Sequence, residues 1–192
     1  MHFVIGGARS GKSNFAEQQV QKIVERVELT PVYLATGSAI DDEMADRIKR
    51  HQMQRTQTSA QMKKPWQLHE CPMQIAGACS QFEHHHVVLL DCLSLWLNNH
   101  VFYAVHHFNS DGDIQSYLTD QRLQLIQALQ KASCQLVIVS NEVGLGIVPL
   151  GKETRWFVDH LGWLNQAVAQ IANEVTMLVA GLPMTLETQD RV

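Results

Sequence analysis

Eight consecutive residues, Gly6-Gly7-Ala8-Arg9-Ser10-Gly11-Lys12-Ser13, run as a glycine, four residues, then Gly-Lys-Ser. That spacing is the pattern of a phosphate-binding loop. Glycines at 6, 7 and 11 allow backbone conformations and a close approach that a Cβ would block. The loop amides can then converge on an anion together with the N-terminus of the following helix. Lys12 supplies a point charge for the β- and γ-phosphates of a nucleotide, and the Ser13 hydroxyl suits Mg²⁺. The plain alternative is a glycine-rich turn that happens to hold a lysine. The apolar run Phe3-Val4-Ile5 before the loop and the helical stretch Asn14 to Arg26 after it favour the phosphate cradle.

Asp91 closes the apolar run Val87-Val88-Leu89-Leu90. An acid there, downstream of a phosphate loop, reaches Mg²⁺ directly or through water; otherwise it caps the next helix. His51 lies within about 60° of Ile40, Met44 and Ile48 when residues are counted at 100° each. It therefore shares their apolar face, either as a hydrogen-bonded core histidine or as a neutral imidazole nucleophile. Arg47, one turn back on nearly the same face, would suit a phosphate better than a core. Asn141-Glu142 follows a strand and precedes two glycines, as a plain turn or as a group holding a base, hydroxyl or metal. Arg155 is a surface charge or a phosphate clamp, and Asn165-Gln166 matters only if it faces the site. Among His84-His85-His86, a strand brings only His84 and His86 to one side, so a solvated loop competes with a metal site there and at His106-His107.

The elements that must position these groups alternate. Strands are expected over residues 3–5, 31–37, 66–70, 84–91, 136–140 and 175–180, and helices over 14–26, 40–54, 74–82, 93–105, 114–132 and 154–173. Asp41, Asp42 and Glu43 suit the positive first turn of the second helix. Leu118, Leu123, Leu125, Ile126 and Leu129 are the apolar candidates of the long helix that follows the turn Asn109-Ser110-Asp111-Gly112-Asp113. Thr56 to Lys64 reads as a loop, and Gly181 onward as a tail. Such alternation predicts an α/β fold with a mostly parallel, helix-covered sheet. Ligands then sit at the carboxyl ends of the strands, where the cradle, Thr36-Gly37, Asp91 and Asn141-Glu142 could share one crevice.

The 192 residues suit a single α/β domain over 1–192, with 45% hydrophobic and 18% charged content. A net charge of -4 argues against a general nucleic-acid binder. No apolar run is long enough to span a bilayer, and no signal peptide is expected ahead of the first strand. Cys71, Cys79, Cys92 and Cys134 show no paired spacing, which fits reduced thiols in the cytoplasm.

The chain resembles the bifunctional adenosylcobinamide kinase/adenosylcobinamide-phosphate guanylyltransferase family. The likeness rests on Gly6 to Ser13, Tyr33-Leu-Ala-Thr36, Asp41-Asp-Glu-Met-Ala-Asp-Arg47 with Arg50-His51, and Asn141-Glu-Val-Gly-Leu-Gly-Ile-Val-Pro149. Arg155-Trp-Phe-Val-Asp159 and Gly162-Trp-Leu-Asn-Gln166 extend it. The resemblance implies a P-loop NTPase-like three-layer fold and two reactions. ATP or GTP phosphorylates the aminopropanol hydroxyl of adenosylcobinamide. GTP then guanylylates His51, which passes GMP to adenosylcobinamide phosphate, giving adenosylcobinamide-GDP and pyrophosphate. It further implies nucleotide contacts from Gly6, Gly7, Ala8, Arg9, Ser10, Gly11, Lys12, Ser13, Ala35, Thr36, Gly37, Arg55, Glu70 and Asp91. Lys12 joins His51 in catalysis, Mg²⁺ sits at Ser13 and Asp91, and the assembly is a homotrimer. The sequence departs from the family where Arg55 lacks a following proline and where Trp66 and Glu70 come late, so Thr56 to Lys64 reads as an insertion. Asp91 stands where some relatives have glutamate. Two rivals predict different chemistry: a plain small-molecule kinase without a covalent intermediate, and a nucleotide-dependent regulatory protein without transfer activity.

Overall fold

The computed structural model describes residues 1–37 and 64–188. The expected helix over 40–54, with Arg47 and His51, and also Arg55 and the 56–63 part of the expected loop, lie outside the described residues.

Seven strands form one sheet: β1 (His2–Gly6), β2 (Thr30–Ala35), β3 (Gln67–Glu70), β4 (His86–Asp91), β5 (Gln135–Asn141), β6 (Glu174–Val179) and β7 (Leu182–Thr188). Their order is β3-β2-β4-β5-β1-β6-β7. Every neighbouring pair is parallel except β6 and β7. The described helices are α1 (Lys12–Val27), α2 (Ile75–Cys79), α3 (Leu93–His107), α4 (Asp111–Lys131) and α5 (Lys152–Ile171).

The strands are apolar on both faces because both are covered. Val4, Tyr33, Val87, Leu89, Val137 and Val139 meet Ala16, Val20 and Val24 of α1. Those three recur every fourth residue and make one helical stripe. Alternate residues Phe3, Leu34, Val88, Leu90, Leu136 and Ile138 meet α2 to α5 on the other face. Removing such a side chain from water contributes about 1.5–3 kcal/mol. Pro31 is accommodated because β3 begins to pair with β2 only at Val32, so the missing N–H falls where the strand is still an edge.

Three expectations are corrected. The stretch from Gly181 is not a tail: Leu182–Thr188 returns antiparallel along β6. Ala180 and Gly181 have φ of 51° and 81°, two successive left-handed residues that make a tight hairpin turn. The turn expected at Asn109 to Asp113 is mostly helix. Ser110 caps α4 by accepting from the Asp113 N–H at 3.1 Å, and Asp111 and Asp113 occupy the first turn where the dipole favours acids. Leu123 is exposed, whereas Leu118, Leu125 and Leu129 carry the buried stripe of α4.

Candidate active site

The turn after β1 is a cradle whose geometry tolerates no side chain at its base. A Cβ on Gly6 would lie 2.5 Å from the Leu178 carbonyl oxygen and 2.8 Å from Ser10 Oγ. Gly11, at φ 94°, turns the loop into α1, a conformation L side chains rarely adopt. The Ser10 carbonyl accepts from the Gly181 N–H at 3.0 Å, so the β6–β7 hairpin braces the loop from one side. From the other, the Glu142 N–H donates to the Gly6 carbonyl at 3.0 Å. Gly7 is half-buried, while Ala8 and Arg9 are exposed at the tip. Lys12 is buried and donates from Nζ to the Gly7 carbonyl at 2.7 Å. Its ammonium thus lies folded over the loop it would share with a phosphate. Ser13 follows in the first turn of α1, half-buried.

The carboxyl ends of three further strands line up beside the cradle. Glu70, Ala35 and Asp91 occupy one transverse row through the pairings of β3, β2 and β4. Asp91 stands two strands from β1, roughly 10 Å, and Glu70 four strands away, roughly 19 Å, at the usual strand spacing. Asp91 can therefore serve a metal beside the cradle, while exposed Glu70 can meet only the far end of an extended nucleotide. Tyr33, which the sequence did not single out as a site residue, donates from its hydroxyl to Asp91 Oδ2 at 2.7 Å. The Trp66 ring meets Tyr33 edge-on at 5.8 Å.

Thr36 is wholly buried and does not offer its hydroxyl to a ligand. The hydroxyl donates to the Cys92 carbonyl at 2.7 Å and accepts from the Cys92 N–H at 2.8 Å. Asn99 Nδ2 donates to the Thr36 carbonyl at 3.0 Å and to the Pro72 carbonyl at 2.9 Å. Thr36 shapes the floor, and Gly37 beside it is half-buried. A second polar chain ties β5 to its neighbours. Asn141 Nδ2 donates to Ser94 Oγ at 2.7 Å, Ser140 Oγ to Asn165 Oδ1 at 2.7 Å, and Asn165 Nδ2 to the Asn141 carbonyl at 3.0 Å. Asn165 thus belongs to the support of the site, whereas Gln166 is exposed. Glu142 accepts from the Gly144 N–H at 2.6 Å. Arg155 donates from Nη1 to the Pro149 carbonyl at 3.1 Å, fastening the loop end rather than reaching the cradle. Burial and then Asp91 push the Cys92 thiol up to about 11, which keeps it protonated and inert as a nucleophile.

His84 and His85 are exposed in the turn that enters β4. His86 Nδ1 accepts from the Glu83 N–H at 3.1 Å and its ring lies 3.9 Å from that of His85. His106 and His107 meet the Phe102 and Tyr103 carbonyls at 2.8 Å from Nδ1, covering the C-terminal end of α3. No group of three His, Cys, Asp or Glu among the described residues could hold a metal. The donors that fit Mg²⁺ here are Ser13 and Asp91, hard oxygens that leave several positions to phosphate and water. The buried Ser10 Oγ, without a hydrogen-bond partner, and the side-chain-free base at Gly6 fit a cradle built for phosphate oxygens.

Residues 2–186 match the family described as cobinamide kinase / cobinamide phosphate guanyltransferase. This chain belongs to that family. Among curated members, the bifunctional adenosylcobalamin biosynthesis protein CobP of Pseudomonas aeruginosa is 38% identical over 185 residues, covering 96% of this chain and 95% of its own. The protein CobU of Escherichia coli K12, bearing the same description, is 33% identical over 191 residues, covering 97% and 99%. Among solved structures, an ATPase domain superposes with a TM-score of 0.50 at 12% identity over 92% of this chain and 68% of that one, a likeness of fold alone. It agrees with the α/β P-loop architecture of this family member.

Proposed function

We propose that this chain, acting as one domain over 1–192, carries out two successive transfers on one phosphate cradle. In the first, the aminopropanol hydroxyl oxygen of adenosylcobinamide attacks the γ-phosphorus of ATP or GTP. A P–O bond forms, the β–γ bridge breaks, and the nucleoside diphosphate leaves as the hydroxyl proton is lost. In the second, a ring nitrogen of His51 attacks the α-phosphorus of GTP and pyrophosphate departs. The phosphate oxygen of adenosylcobinamide phosphate then displaces the imidazole, giving adenosylcobinamide-GDP. The observation that carries this reading is the cradle of Gly6 to Ser13, with Lys12 over it and Asp91 beside it, in a chain of this family.

Lys12 and the loop amides would neutralise charge developing on γ-phosphate or pyrophosphate. Ser13 and Asp91 would hold Mg²⁺, which supplies charge neutralisation at the bridging oxygens. Gly6, Gly7, Ala8, Arg9, Ser10 and Gly11 would line the phosphates, while Ala35 and Gly37, on and just after β2, three strands from β1, would lie along the extended nucleotide above the floor that Thr36 forms. Arg55 and Glu70 are assigned to the nucleoside end. A reduced cytoplasmic enzyme fits four free cysteines, and no described helix is long and apolar enough to cross a membrane. Assembly as a homotrimer fits the exposed Val179, Leu182, Met184 and Leu186 on the β6–β7 edge, an apolar border that a neighbouring copy would cover.

The deciding experiment uses GTP labelled at the α-phosphorus, with Mg²⁺. Acid-labile label should stay on the denatured chain and vanish in His51→Ala; no retained label would favour the plain kinase. Lys12→Ala should lower both activities by about 10²–10³-fold, the scale of losing one such electrostatic contact. Loss of only one activity would mean two separate cradles.

A further inference from the structure

The loop that leaves β5 carries an unusual surface. Leu145, Ile147, Val148 and Leu150 are 74–98% exposed, and Val143 is exposed as well. No charged residue lies between Glu142 and Lys152. A contiguous apolar patch of this kind on a folded chain marks a binding surface. The loop is also held at both ends. Glu142 N–H donates to the Gly6 carbonyl at 3.0 Å, and Arg155 Nη1 donates to the Pro149 carbonyl at 3.1 Å. Its aliphatic side chains are therefore offered to solvent from a fixed frame. The frame begins beside the phosphate cradle, because Asn141 pairs directly with Gly6, one strand spacing or about 5 Å away.

We propose that residues 143–150 form the shelf on which the macrocycle of the corrinoid substrate rests while its arm reaches into the cradle. This rests on the reading of the chain as a cobinamide kinase and guanylyltransferase. The reacting hydroxyl sits on a short arm and must come within about 3–3.5 Å of the γ-phosphorus. The macrocycle is thereby confined to the immediate border of the cradle. The methyl groups of its periphery suit an apolar surface, its uncharged amide arms keep their hydrogen bonds to water at the border of the shelf, and a charged surface beneath it would be desolvated at a cost. The 143–150 loop is apolar, uncharged and adjacent. Its aliphatic groups are in turn covered by the ligand, which removes their apolar surface from water. The β6–β7 edge, a strand border, is the surface suited to a second copy of the chain.

The test uses the full chain and the double variant Leu145→Ser/Ile147→Ser, whose side chains make no buried contacts to lose. Dicyanocobinamide binding is measured by equilibrium dialysis, GTP binding by calorimetry, the α-phosphate label as above, and the size of the assembly by sedimentation. The expected result is corrinoid binding weakened ten-fold or more. GTP affinity, retained label and sedimentation should match the parent chain, and Ile147→Leu should keep corrinoid affinity. Unchanged corrinoid affinity overturns the shelf. So does a variant that sediments as a smaller species, since the loop is then a contact between copies. If the parent chain retains label but binds no corrinoid, the shelf falls while the nucleotide chemistry stands. If it neither labels nor turns over, the functional reading has failed along with it.

Discussion

At the scale of single residues, the site is a set of short hydrogen bonds that fix where charge can sit. Tyr33 is the instructive case. It lies on the α1 face of β2, yet its hydroxyl reaches across to Asp91 at 2.7 Å, occupying one carboxylate oxygen and leaving the other for a metal. Tyr33→Phe removes a hydrogen bond worth about 1 kcal/mol, so Mg²⁺ should bind about five-fold more weakly in the nucleotide complex. Mn²⁺ titration followed by electron paramagnetic resonance would show this, and an unmoved affinity would refute it. Gly6 marks the opposite limit. Alanine there places a carbon 2.5 Å from a backbone oxygen, so Gly6→Ala should cost about 1–3 kcal/mol or more in urea unfolding, as overpacking does, and abolish GTP binding. Lys12, Ser13 and Asp91 can be singled out from the sequence because the chemistry proposed for them depends on residue type and spacing. Tyr33 was not, since a tyrosine in an apolar strand is indistinguishable from core until its partner, on another strand, is known.

At the scale of elements, the seam between α4 and α5 holds a buried ionisable group. His160 is 1% exposed and its Nε2 meets Gln115 Oε1 at 2.8 Å. Burial first, and then the positive charge of Arg122, lower its pKa to about 4. The folded seam therefore keeps the imidazole neutral, whereas the unfolded chain takes up a proton below about 6.5. Stability contributed by the neutral ring is present above that value and is lost as pH falls from about 6.5 toward about 4. The gap corresponds to at most roughly 3 kcal/mol. Urea unfolding at pH 7.5 and pH 4.5 should show this decline, and His160→Gln should flatten it; an equal slope in both chains would place the acid sensitivity elsewhere. His100, whose pKa burial also lowers, adds in the same direction. The helices among the described residues were readable to within a few residues, because their apolar stripes repeat regularly. The start of α4 was misread because Ser110-Asp111-Gly112-Asp113 has the composition of a turn and of a helix cap alike. Only the capping hydrogen bond distinguishes them.

At the scale of the whole molecule, the sheet explains why distant sequence segments meet. Four loops follow directly on parallel strands and so emerge on one side, which the alternation of strands and helices was sufficient to predict. The strand order was not legible, since nothing in the residues of β5 says that it lies between β1 and β4. The last strand escaped notice for a local reason: its turn is Ala180-Gly181 rather than the Asn-Gly or Asp-Gly pair that usually announces such a hairpin. Its exposed apolar residues give a direct test of assembly. Met184→Glu should convert the proposed trimer to smaller species in sedimentation while leaving helix content unchanged; an intact trimer would show that the copies meet elsewhere.

The placement of β1 has a consequence for biosynthesis. Its two partners, β5 and β6, come from the final third of the sequence, and the brace at Gly181 comes later still. A chain emerging from the ribosome must therefore keep β1 waiting, edges bare, until β5 and β6 have been made. The grip on nucleotide is encoded early but matures late, so a prematurely stopped chain should be blind to GTP despite carrying every residue of the motif. Slow folding through such remote pairings also leaves the edges of β1 open to wrong partners for longer than a local hairpin would.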